Sequence, residues 1–185
     1  MKNKLAVILT LLIIVSLSCK TKTENSNKNE ISTNSVEEPK CGSFIYSIDQ
    51  VESCASTTSK VGLFHTNWTS KINQQVFFDK ISDNQNLTEL NLCQIPLDSL
   101  PTTIGNLTKL ETLIISGTDI KEVPKEIGKL KNLKKLYFGF ECGGNKLTSL
   151  PSSIGSCSSL EHLDISNNQI ESLPLELNNC KKLKT

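Results

Sequence analysis

The sequence predicts an α/β solenoid in which short parallel strands stack one repeat apart, each followed by a short helical return segment. Three observations carry this. Leucines at 87, 110, 133, 160 and 183 start units of 23, 23, 27 and 23 residues. Each full unit opens with apolar-x-apolar alternation, as in Leu90-Asn91-Leu92 and Leu163-Asp164-Ile165, the period of a strand with one face buried. A proline then recurs at 101, 124, 151 and 174, followed three residues later by Ile104, Ile127, Ile154 or Leu177. Self-similarity at such a period marks a repeat architecture, in which no unit can bury its apolar face alone.

The elements follow in order. After each strand the chain turns at a column filled by Asn145 and Asn168, with Thr118 as a substitute and Ile95 as a departure. A side-chain amide there can satisfy backbone groups inside the turn, so the first unit is expected to turn less regularly. The proline then fixes φ and opens a short helical or 3-10 segment on the opposite side. These residues match L-x-x-L-x-L-x-x-N-x-L followed by L-P-x-x-I-G-x-L, and from Leu87 to Thr185 the chain resembles the 23-residue leucine-rich repeat proteins of the intracellular Ras-group and bacterial type. The resemblance implies a curved right-handed solenoid whose concave sheet binds another macromolecule.

Ahead of the first full unit, residues 41–86 are expected to form an N-terminal cap. Ile72, Val76, Phe77 and Ile81 fall at helical spacing, and Phe77 and Ile81 lie 23 residues before Leu100 and Ile104, as in a degenerate half-repeat. At the other end, Leu183-Lys184-Thr185 begins a fifth unit and leaves a strand edge open. Two expectations stand: a partner covers that edge, or the chain is a truncated part of a longer array.

The N-terminus reads as an export signal, residues 1–18. Lys2 and Lys4 precede the apolar run from Leu5 to Val15, which is too short for the roughly 20 residues of a membrane span. Ser16-Leu17-Ser18-Cys19 resembles the lipobox of bacterial lipoproteins, in which the cysteine is acylated, although Ser16 stands where that pattern prefers leucine. Ser16-x-Ser18 also suits ordinary cleavage before Cys19, which would release a soluble secreted protein. The resemblance implies palmitate-type lipidation at Cys19 and a cell-envelope membrane location. Residues 19–40 carry almost no apolar side chains and are expected to be a disordered tether.

Composition narrows the function. The formal net charge is +1, and all the basic residues are lysine, which disfavours nucleic acid as a partner. There is no C-x-x-C pair, zinc-spaced His/Cys cluster or phosphate loop, so no metal or cofactor and no enzymatic activity is expected. Six cysteines remain besides Cys19. Resemblance to other exported repeat proteins implies a disulfide between Cys41 and Cys54. Cys157 and Cys180 occupy the column of Leu107 and Leu130 and are expected to pack as small hydrophobes. Cys93, on the concave face, and Cys142, in the enlarged third unit, are expected to be free.

The outward strand positions give the candidate contact surface. The third position runs Glu89, Thr112, Lys135, His162, and the fifth runs Asn91, Ile114, Tyr137, Asp164. Cys93, Ser116, Gly139 and Ser166 fill the seventh. An apolar pair, Ile114 and Tyr137, with a polar surround has the makeup of a protein contact patch. The insertion Gly139–Asn145 adds Phe140 at its rim, and Tyr137 with Phe140 is the expected centre. The expected partner is a protein. A glycan or envelope component is the alternative, as is a scaffold role within a longer repeat protein.

Overall fold

The computed structural model describes residues 58–64, 71–139 and 142–184. They form a five-stranded, fully parallel sheet in sequential order: β1 (Lys60–Phe64), β2 (Glu89–Cys93), β3 (Thr112–Ser116), β4 (Lys135–Tyr137) and β5 (His162–Asp164). Helix α1 (Lys71–Ser82) joins β1 to β2, and later connections run through 3-10 turns at Thr102–Asn106, Lys125–Lys129, Ser152–Ser156 and Leu175–Asn179. Each 3-10 turn is preceded by its proline at φ between −66° and −73°, the value the pyrrolidine ring imposes.

Register follows the leucines. Leu90, Leu113, Leu136 and Leu163 are successive partners across the sheet, and so are Leu92 and Ile115. The core is a stack of columns rather than a sphere. Leu87, Leu110, Leu133 and Leu160 are fully buried, as are Leu90, Leu113 and Leu136. Burying one such side chain contributes roughly 1.5–3 kcal/mol. In the last unit the same columns thin out: Leu163, Ile165, Ile170 and Leu177 are only partly buried, and Leu173 and Leu175 are 51% and 83% exposed.

The glycine of each I-G pair has a packing reason. A Cβ on Gly128 would lie 2.5 Å from the Ser153 carbonyl oxygen, so only glycine lets adjacent return segments approach this closely.

The region before the repeats is more regular than the expected half-repeat. Helix α1 forms where the apolar spacing placed it, burying Phe77 and Ile81 and also Phe78, whose ring meets Phe77 edge-on at 5.2 Å. Strand β1 is an unanticipated addition: Val61 and Leu63 pair with Leu90 and Leu92 and are 1% exposed. Asn84, 2% exposed, ties the two together. Its amide donates to the Thr58 carbonyl at 2.9 Å and its Oδ1 accepts from Asn86 N at 2.8 Å. The expected export signal at residues 1–18, Cys19, the expected tether at 19–40, Cys41, Cys54 and Phe140 lie outside the described residues.

Candidate functional site

The pleat divides each strand cleanly. In β2 and β3 the third and fifth positions are half-buried while the leucine and isoleucine between them are closed off. The third row is therefore Lys60, Glu89, Thr112, Lys135, His162, and the fifth is Gly62, Asn91, Ile114, Tyr137, Asp164. Every contact residue expected from sequence, except Phe140, falls on these two rows, and β1 extends both by one strand. Ile114 and Tyr137 are direct register partners, half-buried where the sequence suggested full exposure.

The polar members differ in availability. Glu89 is engaged by Lys60 at 2.9 Å across β1 and β2. Asp164 accepts from Ser166 N at 2.9 Å and Ser166 Oγ at 2.6 Å, so one of its oxygens is committed to the turn after β5. Asn91 Oδ1 is buried with no hydrogen-bond partner. Lys135 is exposed and forms no ion pair among the described residues.

The seventh row departs from expectation. Cys93 and Cys142 are not free: they form a disulfide, with Cα atoms 6.0 Å apart, across 49 residues of sequence. That separation is ordinary for a disulfide. The enlarged third unit folds back over the second to reach the first. Gly117 in the second unit lies under this strap: its N–H donates to Gly143 O at 3.1 Å, and Gln94 Nε2 donates to Cys142 O at 3.3 Å. Gly117 adopts φ +66°, and a Cβ there would collide with the Cys142 carbonyl. Cys93 and Ser116 are consequently 2% and 0% exposed, so in the first two units the usable concave surface is the third and fifth rows, while Ser166 in the last unit stays exposed.

Beneath the rim, asparagines close the turns as the sequence suggested. Asn145 donates from Nδ2 to Ile115 O and Phe138 O, both at 2.7 Å, and its Oδ1 accepts from Thr118 N at 2.9 Å and Thr118 Oγ1 at 2.7 Å. Asn168 repeats this one unit on with longer bonds, donating to Phe138 O at 3.2 Å and accepting from Leu147 N at 3.2 Å. In the first unit Ile95 drops into the core at 1% exposed and Gln94 takes φ +54°.

Chemistry is sparse among the described residues. No group of three His, Cys, Asp or Glu side chains is placed to hold a metal ion. Of the described cysteines, the two outside the disulfide, Cys157 and Cys180, are buried and donate to the carbonyls of Ile127 at 3.3 Å and Ile154 at 3.4 Å. Burial pushes the Cys157 thiol up to about 11, with the neighbouring Cys180 adding to the shift, and burial raises Cys180 as well. Thiols held protonated in this way are poor nucleophiles.

The comparisons agree with this architecture. A family model described as a leucine-rich repeat region matches residues 68–185. A leucine-rich repeat protein of Leptospira interrogans is similar in structure, at 30% identity and a TM-score of 0.63, over 75% of this chain and 32% of that one. An internalin of Listeria monocytogenes shares the fold at 15% identity and a TM-score of 0.57, over 76% of this chain and 43% of its own. The ectodomain of the Arabidopsis receptor kinase HAESA, solved with a peptide hormone ligand, is 29% identical with a TM-score of 0.50, over 58% of this chain and 18% of its own. This chain thus spans well under two thirds of each of these proteins. No curated protein matches the sequence. Repeat period, parallel register, asparagine-closed turns and family match together show that the chain belongs to the leucine-rich repeat family.

Proposed function

We propose that this chain is an exported, lipid-anchored binding module that holds a protein partner on the third and fifth rows of its concave sheet. The observation that carries the reading is the Ile114–Tyr137 pair. The two are adjacent in register, half-buried, and bordered by Asn91, Lys135 and Asp164. An apolar centre within a polar rim is the layout in which a few contacts supply most of the binding energy. The peptide-bound plant receptor ectodomain supports a polypeptide as the kind of ligand. The Cys93–Cys142 disulfide supports export, because such bonds persist in oxidising compartments. Acylation at Cys19 rests on the sequence, and two or more acyl chains are needed for stable anchoring.

The test is site-specific photocrosslinking. A benzophenone side chain is placed at position 114 or 137 of the full chain in its native cells, with position 125 on the return segments as a control. The reading predicts a discrete protein adduct from 114 and 137 and none from 125. Equal yields from all three would refute it, and an adduct sensitive to glycosidase would favour the glycan alternative. Anchoring is tested apart: labelled palmitate should enter the wild type and not Cys19→Ala.

A further inference from the structure

The turns that lead into the strands stack into one edge of the solenoid. They comprise Thr108-Lys109, Lys131-Asn132, Ser158-Ser159 and Lys181-Lys182. Asn132 Nδ2 donates to Thr108 O at 2.9 Å, and Lys131 Nζ donates to Ser156 O at 2.8 Å, so neighbouring units are stitched together here. The charges along this edge are arranged unevenly. Glu111 and Glu161, which immediately precede β3 and β5, are each taken by a lysine of the next unit, Lys134 at 2.9 Å and Lys184 at 2.7 Å, and Glu89, in the third row on β2, is taken by Lys60 of β1 at 2.9 Å. The hydrogen bond and charge of Lys184 hold the half-buried Glu161 carboxyl below its usual range.

With the carboxylates occupied, Lys109, Lys131, Lys135, Lys181 and Lys182 are exposed and form no ion pair among the described residues. Lys135 stands in the third row two residues before Tyr137 on the same strand, so a free cation lies between the edge and the apolar pair. We infer that this edge receives an acidic polypeptide segment of the partner whose apolar part sits on Ile114 and Tyr137. The inference rests on the concave-face reading and adds the chemistry of the partner.

The spacing suits such a segment. Lys109 and Lys131 lie on adjacent units and Lys181-Lys182 two units further on, past Ser158-Ser159, so at about 5 Å per unit the cations are spread over roughly 15 Å of the edge. An extended acidic chain crossing the units presents alternate carboxylates at roughly 7 Å, within reach of flexible lysine stems. Lysine point charges without arginine suit carboxylates spread along a chain better than bidentate recognition of phosphate.

The experiment titrates the full chain with fluorescent poly-L-glutamate, and separately with vesicles of phosphatidylglycerol, at about 50 mM and 300 mM salt. The edge variant Lys109→Gln/Lys131→Gln/Lys181→Gln is compared with Lys121→Gln/Lys125→Gln/Lys129→Gln, which removes the same charge from the return segments. The expected result is polyglutamate binding that the edge variant weakens roughly tenfold at low salt, with a shallower salt dependence. The return-segment variant should bind nearly as the wild type does. Equal loss in both variants would reduce the effect to net charge and overturn the inference. Binding to vesicles but not to polyglutamate would overturn it in favour of a lipid surface, and no binding to either would overturn it outright. Crosslinking from positions 114 and 137 is read independently of polyglutamate binding, so failure of the concave-face reading and failure of this inference show separately.

Discussion

Replacing Asn145 with alanine isolates what the asparagine column contributes. The side chain is 7% exposed and makes four hydrogen bonds, to Ile115 O, Phe138 O, Thr118 N and Thr118 Oγ1. Phe138 O keeps a second donor in Asn168, and the Thr118 hydroxyl can rotate. Two backbone groups, Ile115 O and Thr118 N, are then left without a partner in a buried turn. Each such group costs about 1–3 kcal/mol, so Asn145→Ala should lose about 2–6 kcal/mol. Set against a total stability of about 5–15 kcal/mol, that loss is severe. Asn168 makes the equivalent bonds in a half-exposed turn that water can enter, so Asn168→Ala should cost about 1 kcal/mol. Urea unfolding followed by far-ultraviolet circular dichroism reads both, and a 3 kcal/mol loss moves the midpoint by about 1–3 M. If the two variants lie within 1 kcal/mol of each other, the argument from burial is wrong.

Other outcomes follow from the same structure. Leu136→Ala, in the closed core, should destabilise by about 2–5 kcal/mol, and the register-equivalent Leu163→Ala, in the partly open last unit, by less than half of that. Equal losses in urea melts would show that the last unit is sealed in solution. Breaking the Cys93–Cys142 bond, by a dithiol or by a double change to serine, should cost about 2–4 kcal/mol, since it releases a loop of 49 residues. Thermal melts with and without reductant test this, and an unchanged melting temperature contradicts it. Cys157 titrates higher folded, at about 11, than its ordinary value of 9.0, so the folded state holds this proton more tightly. Its contribution to stability is complete below pH 9 and is lost as pH rises through 11. The loss over that window should be smaller in Cys157→Ala, as judged by denaturation midpoints from pH 8 to 11.

Much of the fold and the contact rows was legible because a repeat reports the same physical demand several times. The leucine column that starts each unit and the apolar-x-apolar strands identify which side chains face inward, so Glu89, Asn91, Thr112, Ile114, Lys135, Tyr137, His162 and Asp164 could be assigned to the outer face without coordinates. Strand β1 escaped notice because Val61 and Leu63 precede their partners by 29 residues rather than 23. Within the period, helix α1 takes the place of a 3-10 turn and carries no proline.

The amino-acid sequence alone therefore determined the stacking unit, the turn chemistry and which two strand rows face outward, since each depends on local spacing and on side-chain type. Only the tertiary structure decided which of those positions a ligand can reach. The insertion in the third unit folds back over Gly117 and joins Cys142 to Cys93, which buries the seventh-row residues Cys93 and Ser116. It also decided that Glu111 and Glu161 along one edge are neutralised by lysines of the next unit, leaving that edge cationic in a chain of net charge +1. Both outcomes depend on contacts between units, where residues 23 to 49 positions apart become neighbours through stacking, a distance that sequence order does not express.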